Sequence, residues 1–581
     1  MERYNLKDYF IFISIGFLLS APFFILPIAN PDIGWHLSNG RYIIENFRIP
    51  SRDFLSWLSP EREWINFEWI VDAVYYLIYR FDGYRALCLL KFLNMILICF
   101  GFYLLYAKRL RLEAFAFIWF MPSLFLSFAI SLDLRPDNYT FFFFTFLLFL
   151  LEGYKNSDFS YKRAYLLLSL SALWVNIHAG YIFGWVLVSI YLLSFFLNDI
   201  VGFLRGQRKD FKNTFKFLKY AVFFSMGIFI NPYGYKILRV FFYHYVDMKK
   251  IADYIFEWQY SDMFMSISTF YYFVFSFLVI LAYFIRFIKA RIYELSDVFL
   301  LTFFVISSLM HLRLIGFGSI VVHMIFVKSF SDLISKKYIR YFILAVFYSF
   351  YFFFEAYVDL VRSCLYFKDG VFYRNSFLSP YAVSFIEKNA SFFEGKRIYN
   401  DWSSGGNLGF RFYGKRKIFI DGRYIFLDIL EEHLNAMSSK ESWRTFYRKY
   451  NFDYAIYSIY VDKRTEIIGV MDRGKMYAIE RPFYLKSIDF ENWAIVFFDS
   501  ISMILVRRDR FPKAFVDEYE YKCVLPYDFE RIHFDIHILS KNIECYRREM
   551  TDYIRREIRN PNAFVPFFVY ELSYINSGGK R

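Results

Sequence analysis

The sequence predicts a polytopic α-helical membrane protein of about 11 transmembrane helices, followed by a C-terminal extracytoplasmic α/β domain. Three observations predict it. The 581 residues are 57% hydrophobic and 24% aromatic, with a mean hydropathy of +0.29, too apolar for an ordinary soluble chain. Apolar runs long enough to cross a bilayer recur along the first 360 positions. After about Leu365 the pattern changes to short strands alternating with amphipathic helices.

The runs fall near 9–29, 84–106, 113–131, 138–152, 164–177, 179–198, 216–230, 269–288, 297–310, 313–327 and 339–360. The first resembles a signal peptide, since Arg3 and Lys7 precede it, but its length fits a retained helix. Basic clusters such as Lys108, Arg109 and Arg111, or Lys155, Lys162 and Arg163, fall in every second link, whereas the short links between hold only Arg135 and Arg313. That asymmetry predicts a cytoplasmic N-terminus in the cytoplasmic (inner) membrane and, with an odd number of spans, an extracytoplasmic C-terminal part. The net charge of +14 is thus a topology signal, and no nucleic-acid partner is expected.

The domain boundaries expected are 1–364 for the membrane part with a first outer loop at 30–83, 365–510 for the α/β domain, and 511–581 for a mainly helical tail. Between 54 and 81 a helix rich in tryptophan and tyrosine is expected to lie along the membrane surface. In the α/β domain SPYAVSFIEKN reads as a capped helix, KRIYND, RKIFIDG and FDYAIYSIY as strands, WSSGGNLGFRF as a turn opening a helix, and WAIVFFDSISMILVRR as a hairpin. The five cysteines form no CxxC pair, so zinc and thiol chemistry are not indicated. Cys523 and Cys545 are the one plausible disulfide, provided their domain lies outside the cytoplasm.

Polar residues concentrate at the predicted outer ends of the spans, where ionisable groups are costly and usually retained for a purpose. Asp32 stands two residues beyond the first apolar run and is either a helix N-cap or a base placed to take a proton from a hydroxyl. His36, four residues on, lies over Asp32 on a helix and suits phosphate binding or a structural pair more than a metal shared with Asp32, since no further spaced ligands accompany it. Arg135 and Asp137 flank Pro136, as a phosphate fork or as a clamp on the turn. His178 and His311 interrupt apolar runs, as ligands or as interhelical bonds, and Arg313 has no acid nearby in sequence, which asks for an anion such as a lipid-linked phosphate or for snorkelling to a headgroup. Glu68-Trp69 and Glu257-Trp258 repeat an acid beside an indole, a pairing that holds sugars or anchors a loop at the interface. Asp421-Gly422-Arg423 is either a strand-end site or a buried ion pair, and no nucleotide-binding glycine loop is present in the sequence.

Taken in order, NPDIGWHLSNGRYI, IPSRDFLSW, WINFEWI, LRPDNY, WVNIHAG, NPYG, EW and FIDGRY resemble the GT-C superfamily of integral membrane glycosyltransferases, and within it an uncharacterised prokaryotic group. The resemblance covers about 30–260 and 380–510. It implies a polyprenyl-phosphate-linked sugar donor in the membrane lipid and a glycan, lipid or protein acceptor. It implies Asp32 as the acceptor-activating base, with His36, Arg135, His178 and Arg313 as candidates for the donor phosphate. The substrate-binding set expected is His36, Glu68, Trp69, Arg135, Asp137, His178, Glu257, His311 and Arg313. Many members carry a second acid beside the first; here Ile33 follows Asp32, which favours a metal-free reaction with no cofactor or one in which His36 replaces that acid. A flippase for a lipid-linked glycan would show internal duplication, and no inverted repeat is evident in the sequence. A non-catalytic envelope assembly protein is the remaining alternative.

Overall fold

The computed structural model describes residues 6–58, 62–112, 117, 121, 124, 133–206, 210–242, 258–290, 293–333, 372–373, 377–458, 465–482, 484–557 and 564–578. Contacts divide the chain into two units. The first comprises Met1–Asn30, Gly40–Ile49 and Ile65–Arg374, and the second Pro31–Asn39, Pro50–Trp64 and Asn375–Arg581. The first outer loop, which the sequence assigns whole to the membrane part, is therefore shared between them.

The helices of the first part of the chain are α1 (Leu6–Ile25), α2 (Ile33–Asn46), α3 (Trp69–Phe102), α4 (Asp137–Tyr154), α5 (Tyr161–Val175), α6 (Tyr181–Leu204), α7 (Lys212–Ile228), α8 (Ile267–Ala290), α9 (Leu295–Met310) and α10 (Ile315–Leu333). Among the described residues five stretches are long and apolar enough to cross a membrane: Lys7–Ile25, Trp69–Arg109, Tyr181–Leu204, Ser268–Lys289 and Leu312–Ser329. The chain is thus a multi-pass membrane protein. Of the expected runs, 339–360 lies outside the described residues, as does 113–131 apart from Phe117, Met121 and Leu124. In the first unit α1 packs on α3 and α3 on α4; α7 packs on α5 and α6, and α10 on α8 and α9. The expected surface helix is not separate from the second span: both belong to α3, which kinks where Asp82 and Gly83 leave helical geometry, Gly83 at φ +57°. Glycine takes that left-handed value without a Cβ penalty, so the chain turns there and the helix resumes.

The second unit carries a four-stranded sheet in the order β1 (Ile398–Asn400), β2 (Tyr454–Ser458), β6 (Ser502–Arg507), β5 (Trp493–Phe498), with β1 and β2 parallel and the rest antiparallel. A separate hairpin pairs β3 (Thr465–Asp472) with β4 (Lys475–Pro482). The helices α11 (Pro380–Lys388) and α12 (Trp402–Arg411) begin at Ser379 and Asp401, whose side chains accept the backbone N–H of Tyr381 and Ser404. The first is the capped helix that the sequence signals; at the second, Asp401 of the expected loop serves as the cap. The expected strand RKIFIDG is only a single bridge from Ile418 to Ser56. Side chains take its backbone groups instead: Ser56 Oγ donates to the Phe419 carbonyl, and Phe419 N–H donates to Asn400 Oδ1 at 2.8 Å. The core joins Trp35, Leu55 and Trp64 of the first loop to Ile398, Phe419 and Ile456, and continues through Phe511, Tyr553 and Phe564, so the tail is packed into the same core. Cys523 and Cys545 are joined in a disulfide.

Candidate functional site

In the first unit, motifs far apart in sequence meet through hydrogen bonds. Asp137 opens α4 directly after Pro136, and its carboxylate, 4% exposed, accepts Arg313 Nη2 at 3.2 Å. Arg313 comes from the short turn Leu312–Leu314 between α9 and α10. The acid missing from its sequence neighbourhood is thus supplied from 176 positions away, and the premise that Arg313 needs an external anion for want of an acid is corrected. Asp137, one member of the clamp expected with Arg135, is thus paired with Arg313. Arg135 is half-buried at the same turn.

One turn along α4, Thr140 Oγ1 accepts the Trp174 indole N–H at 3.0 Å and meets His178 Nδ1 at 2.9 Å. The Gly180 backbone N–H also points at His178 Nδ1, at 3.0 Å. A backbone N–H can only donate, so Nδ1 is the bare nitrogen and the imidazole proton sits on Nε2. Nε2 faces Glu68 Oε1 at 3.8 Å. Glu68 immediately precedes α3 and is itself fixed by Asn66, which accepts the Glu68 N–H and donates to the buried Asp72 at 2.9 Å. Trp69 spends its indole N–H on Asn176 Oδ1 at 2.8 Å, and Asn176 donates on to the Ile230 carbonyl. INFEW, WVNIHAG and the start of NPYG are therefore one bonded cluster, with Tyr233 Oη accepting the Asn66 N–H at 3.0 Å.

His311 ends α9 and meets the Trp258 carbonyl through Nδ1 at 2.9 Å, which ties it to the loop after position 257. Glu257 lies outside the described residues. Sequence reasoning missed Lys91, 2% exposed, whose ammonium donates to the Leu26 carbonyl at 2.8 Å and pairs with Asp133 at 3.6 Å. Asp133 in turn accepts the Ala29 N–H at 2.8 Å, so the exit of the first helix is fastened to the LDLRPDNY turn. A lone lysine inside an apolar run was the available signal. At the opposite end of α4, Glu152 lies with Glu294 and Asp297 in a group able to hold a metal, but Lys328 sits 2.9 Å from Glu152 and 2.8 Å from Asp297, and Lys155 sits 2.7 Å from Glu152. The ammonium groups occupy the place a cation would take.

In the second unit, Asp32 immediately precedes α2, its carbonyl accepting the N–H groups of Trp35 and His36 at 3.1 and 3.3 Å. Its half-buried carboxylate accepts the Trp35 indole N–H at 3.2 Å, and His36, 2% exposed, stacks on the Trp35 ring with centroids 3.6 Å apart. Beside Asp32 runs Asp421-Gly422-Arg423: a Cβ at Gly422 would stand 2.3 Å from Asp32 Oδ1. Arg423, 2% exposed, binds Asp421 at 2.8 and 2.9 Å and Asp53 at 2.7 Å, and lies over the Trp64 ring. Burial pushes the Asp421 carboxyl up, against the pull of Arg423, while the two carboxylates hold the Arg423 guanidinium above its ordinary range. Of the two readings of this tripeptide, the buried ion pair is the one formed. Asp401 is pushed up to about 6 by burial while it caps α12.

The chain is similar in structure to archaeal oligosaccharyltransferase AglB from Archaeoglobus fulgidus, in complex with an inhibitory peptide and a dolichol-phosphate, with a TM-score of 0.50 at 11% identity over 82% of this chain and 74% of that one. The likeness is one of fold. The apo form of the A. fulgidus oligosaccharyltransferase matches with a TM-score of 0.46 at 11% identity over 77% of this chain and 69% of that one. No protein-family profile and no curated protein matches the sequence.

Proposed function

We propose that the protein is a membrane glycosyltransferase that moves a sugar from a polyprenyl-phosphate donor to an acceptor hydroxyl or amide on the outer face of the membrane. The observation that carries the reading is the half-buried Asp32 carboxylate, standing at the exit of the first span in a GT-C-type fold. The similar protein was solved with a dolichol-phosphate, which supports a lipid-phosphate donor here. The disulfide between Cys523 and Cys545 supports an extracytoplasmic second unit, since such bonds persist in oxidising compartments.

In the proposed step Asp32 takes the acceptor proton, the acceptor atom bonds to the anomeric carbon, and the bond from that carbon to the phosphate oxygen breaks, leaving its electron pair on the polyprenyl phosphate. Within the first unit, Arg313, Arg135 and the fixed Nε2–H of His178 are groups suited by their chemistry to a phosphate or a sugar hydroxyl. Glu68 and the ring face of Trp69 suit sugar contacts. The test is transfer and donor hydrolysis by the purified protein with polyprenyl-phosphate sugars. Asp32→Asn is expected to abolish transfer with folding and donor binding retained; retained turnover removes Asp32 from the reaction, and absence of any donor turnover in the native protein removes the enzyme reading.

A further inference from the structure

His533 and His537 converge on one carboxylate, that of Glu571, at the far end of the chain. His533 belongs to the helix α13 (Phe529–Phe534), His537 to the π-helical turn Asp535–Leu539 that continues it, and Glu571 to α14 (Phe564–Asn576). His533 Nδ1 lies 2.9 Å from Glu571 Oε1, and His537 Nε2 lies 2.7 Å from Oε2. The Glu571 side chain is 0% exposed, that of His537 13% and that of His533 50%. No lysine or arginine among the described residues reaches this carboxylate.

A carboxylate withdrawn from water needs a positive partner. Both imidazoles aim a ring nitrogen at this one carboxylate, and the two rings stack with centroids 4.0 Å apart. A divalent cation between the three groups would supply the positive partner. The single-turn π-helix re-aims His537, a device frequent at functional sites, and the three ligand atoms all lie within 4.8 Å of one another. Two imidazoles and a carboxylate are the donor set of a borderline ion, with bonds of about 2.0–2.1 Å. Adjacent ligands around such an ion stand about 3.3 Å apart at tetrahedral angles, so the rings must open by roughly half an ångström. The half-exposed His533 has room to do so.

We propose that His533, His537 and Glu571 form a binding site for a divalent ion of the zinc class that clips α14 to the α13 helix, with its remaining coordination positions filled by water on the His533 side. The disulfide fastens the intervening Cys545 segment to Cys523, so the ion would be the second staple of the tail.

The test uses the full-length protein in detergent, stripped with a chelator and titrated with Co²⁺ alone. One equivalent with the visible absorption of nitrogen- and oxygen-bound cobalt is expected, and His533→Ala, at an exposed ring that does not carry the fold, should lose it. Zn²⁺ at a hundredfold excess over its Kd should raise the Tm of the native protein by about 5 °C and leave His533→Ala unmoved. If Glu571→Gln fails to fold, His533→Ala and His537→Ala carry the comparison. Cobalt absorption unchanged in His533→Ala overturns the proposal, because the ion then sits elsewhere. So does a native protein that takes up no metal.

Discussion

Arg423 Nη2 holds Asp53 Oδ1 at 2.7 Å with both side chains buried, although 370 positions separate them in the chain. The bond stitches the first outer loop into the second unit. Asp53 also accepts the N–H groups of Leu55 and Ser56, so one carboxylate both shapes the loop and anchors it.

Removing that carboxylate leaves a buried guanidinium with half of its compensation. Asp53→Ala is expected to destabilise the second unit by about 3–5 kcal/mol, the usual cost of breaking a buried pair from one side. Denaturant unfolding followed by tryptophan fluorescence reports it through Trp64, which lies under Arg423. A change below about 1 kcal/mol would show that Asp421 alone satisfies the arginine.

The Arg313–Asp137 pair makes a simple arginine deletion ambiguous, because Arg313→Ala exposes a buried acid as well as removing a cation. Arg313→Ala should lower both stability and donor affinity. Adding Asp137→Asn should restore most of the stability but not the affinity, which stays roughly tenfold or more below native, about 1.4 kcal/mol. Recovery of donor binding in the double variant would make Arg313 a packing residue.

His433 sits among Tyr399, Trp443 and Phe446, and burial lowers its pKa from 6.5 to about 4. As pH falls from 6.5 to 4 the unfolded chain takes the proton first, so stability is lost through that window. At about 1.4 kcal/mol per pKa unit the effect is roughly 3 kcal/mol. Asp401 opposes it: raised from 3.8 to about 6, it holds its proton in the folded state and loses stability as pH rises through that range. His433→Gln should therefore flatten or reverse the acid slope in pH-dependent melting, and an unchanged slope would assign acid sensitivity to other groups.

The sequence disclosed what is local. Ser379 and Asp401 are caps because a short acceptor precedes an amphipathic stretch, and strands β2, β5 and β6 follow from apolar runs bounded by turns. It could not disclose what comes from a distance: the acid that meets Arg313, or the side chains of Ser56 and Asn400 that occupy the backbone of RKIFIDG. The hairpin β3–β4 was legible yet missed; the apolar stretches 467–471 and 476–479 flank Asp472-Arg473-Gly474-Lys475, a turn signal. Asp32 was singled out by its position, but its bond to Trp35 and its neighbour Gly422 depend on tertiary packing.

That neighbour gives the most specific handle on Asp32. A methyl group at position 422 would stand 2.3 Å from Asp32 Oδ1 and 3.5 Å from Trp35 Nε1, so Gly422→Ala cannot coexist with the present carboxylate rotamer. The short side chain has to swing away and give up its 3.2 Å bond from the indole. The fold has less to lose, because the clash falls on a half-buried carboxylate and not on backbone. Gly422→Ala is therefore expected to lower the transfer rate by about tenfold to a hundredfold, as misplacement of a reacting group by a fraction of an ångström does, while the Tm falls by only a few degrees. In an Asp32→Asn background the same alanine should add almost nothing to the rate loss, since its effect acts through that carboxylate. Independent, additive losses from the two substitutions would mean that residue 422 serves the reaction, or the fold, by a route that does not pass through Asp32.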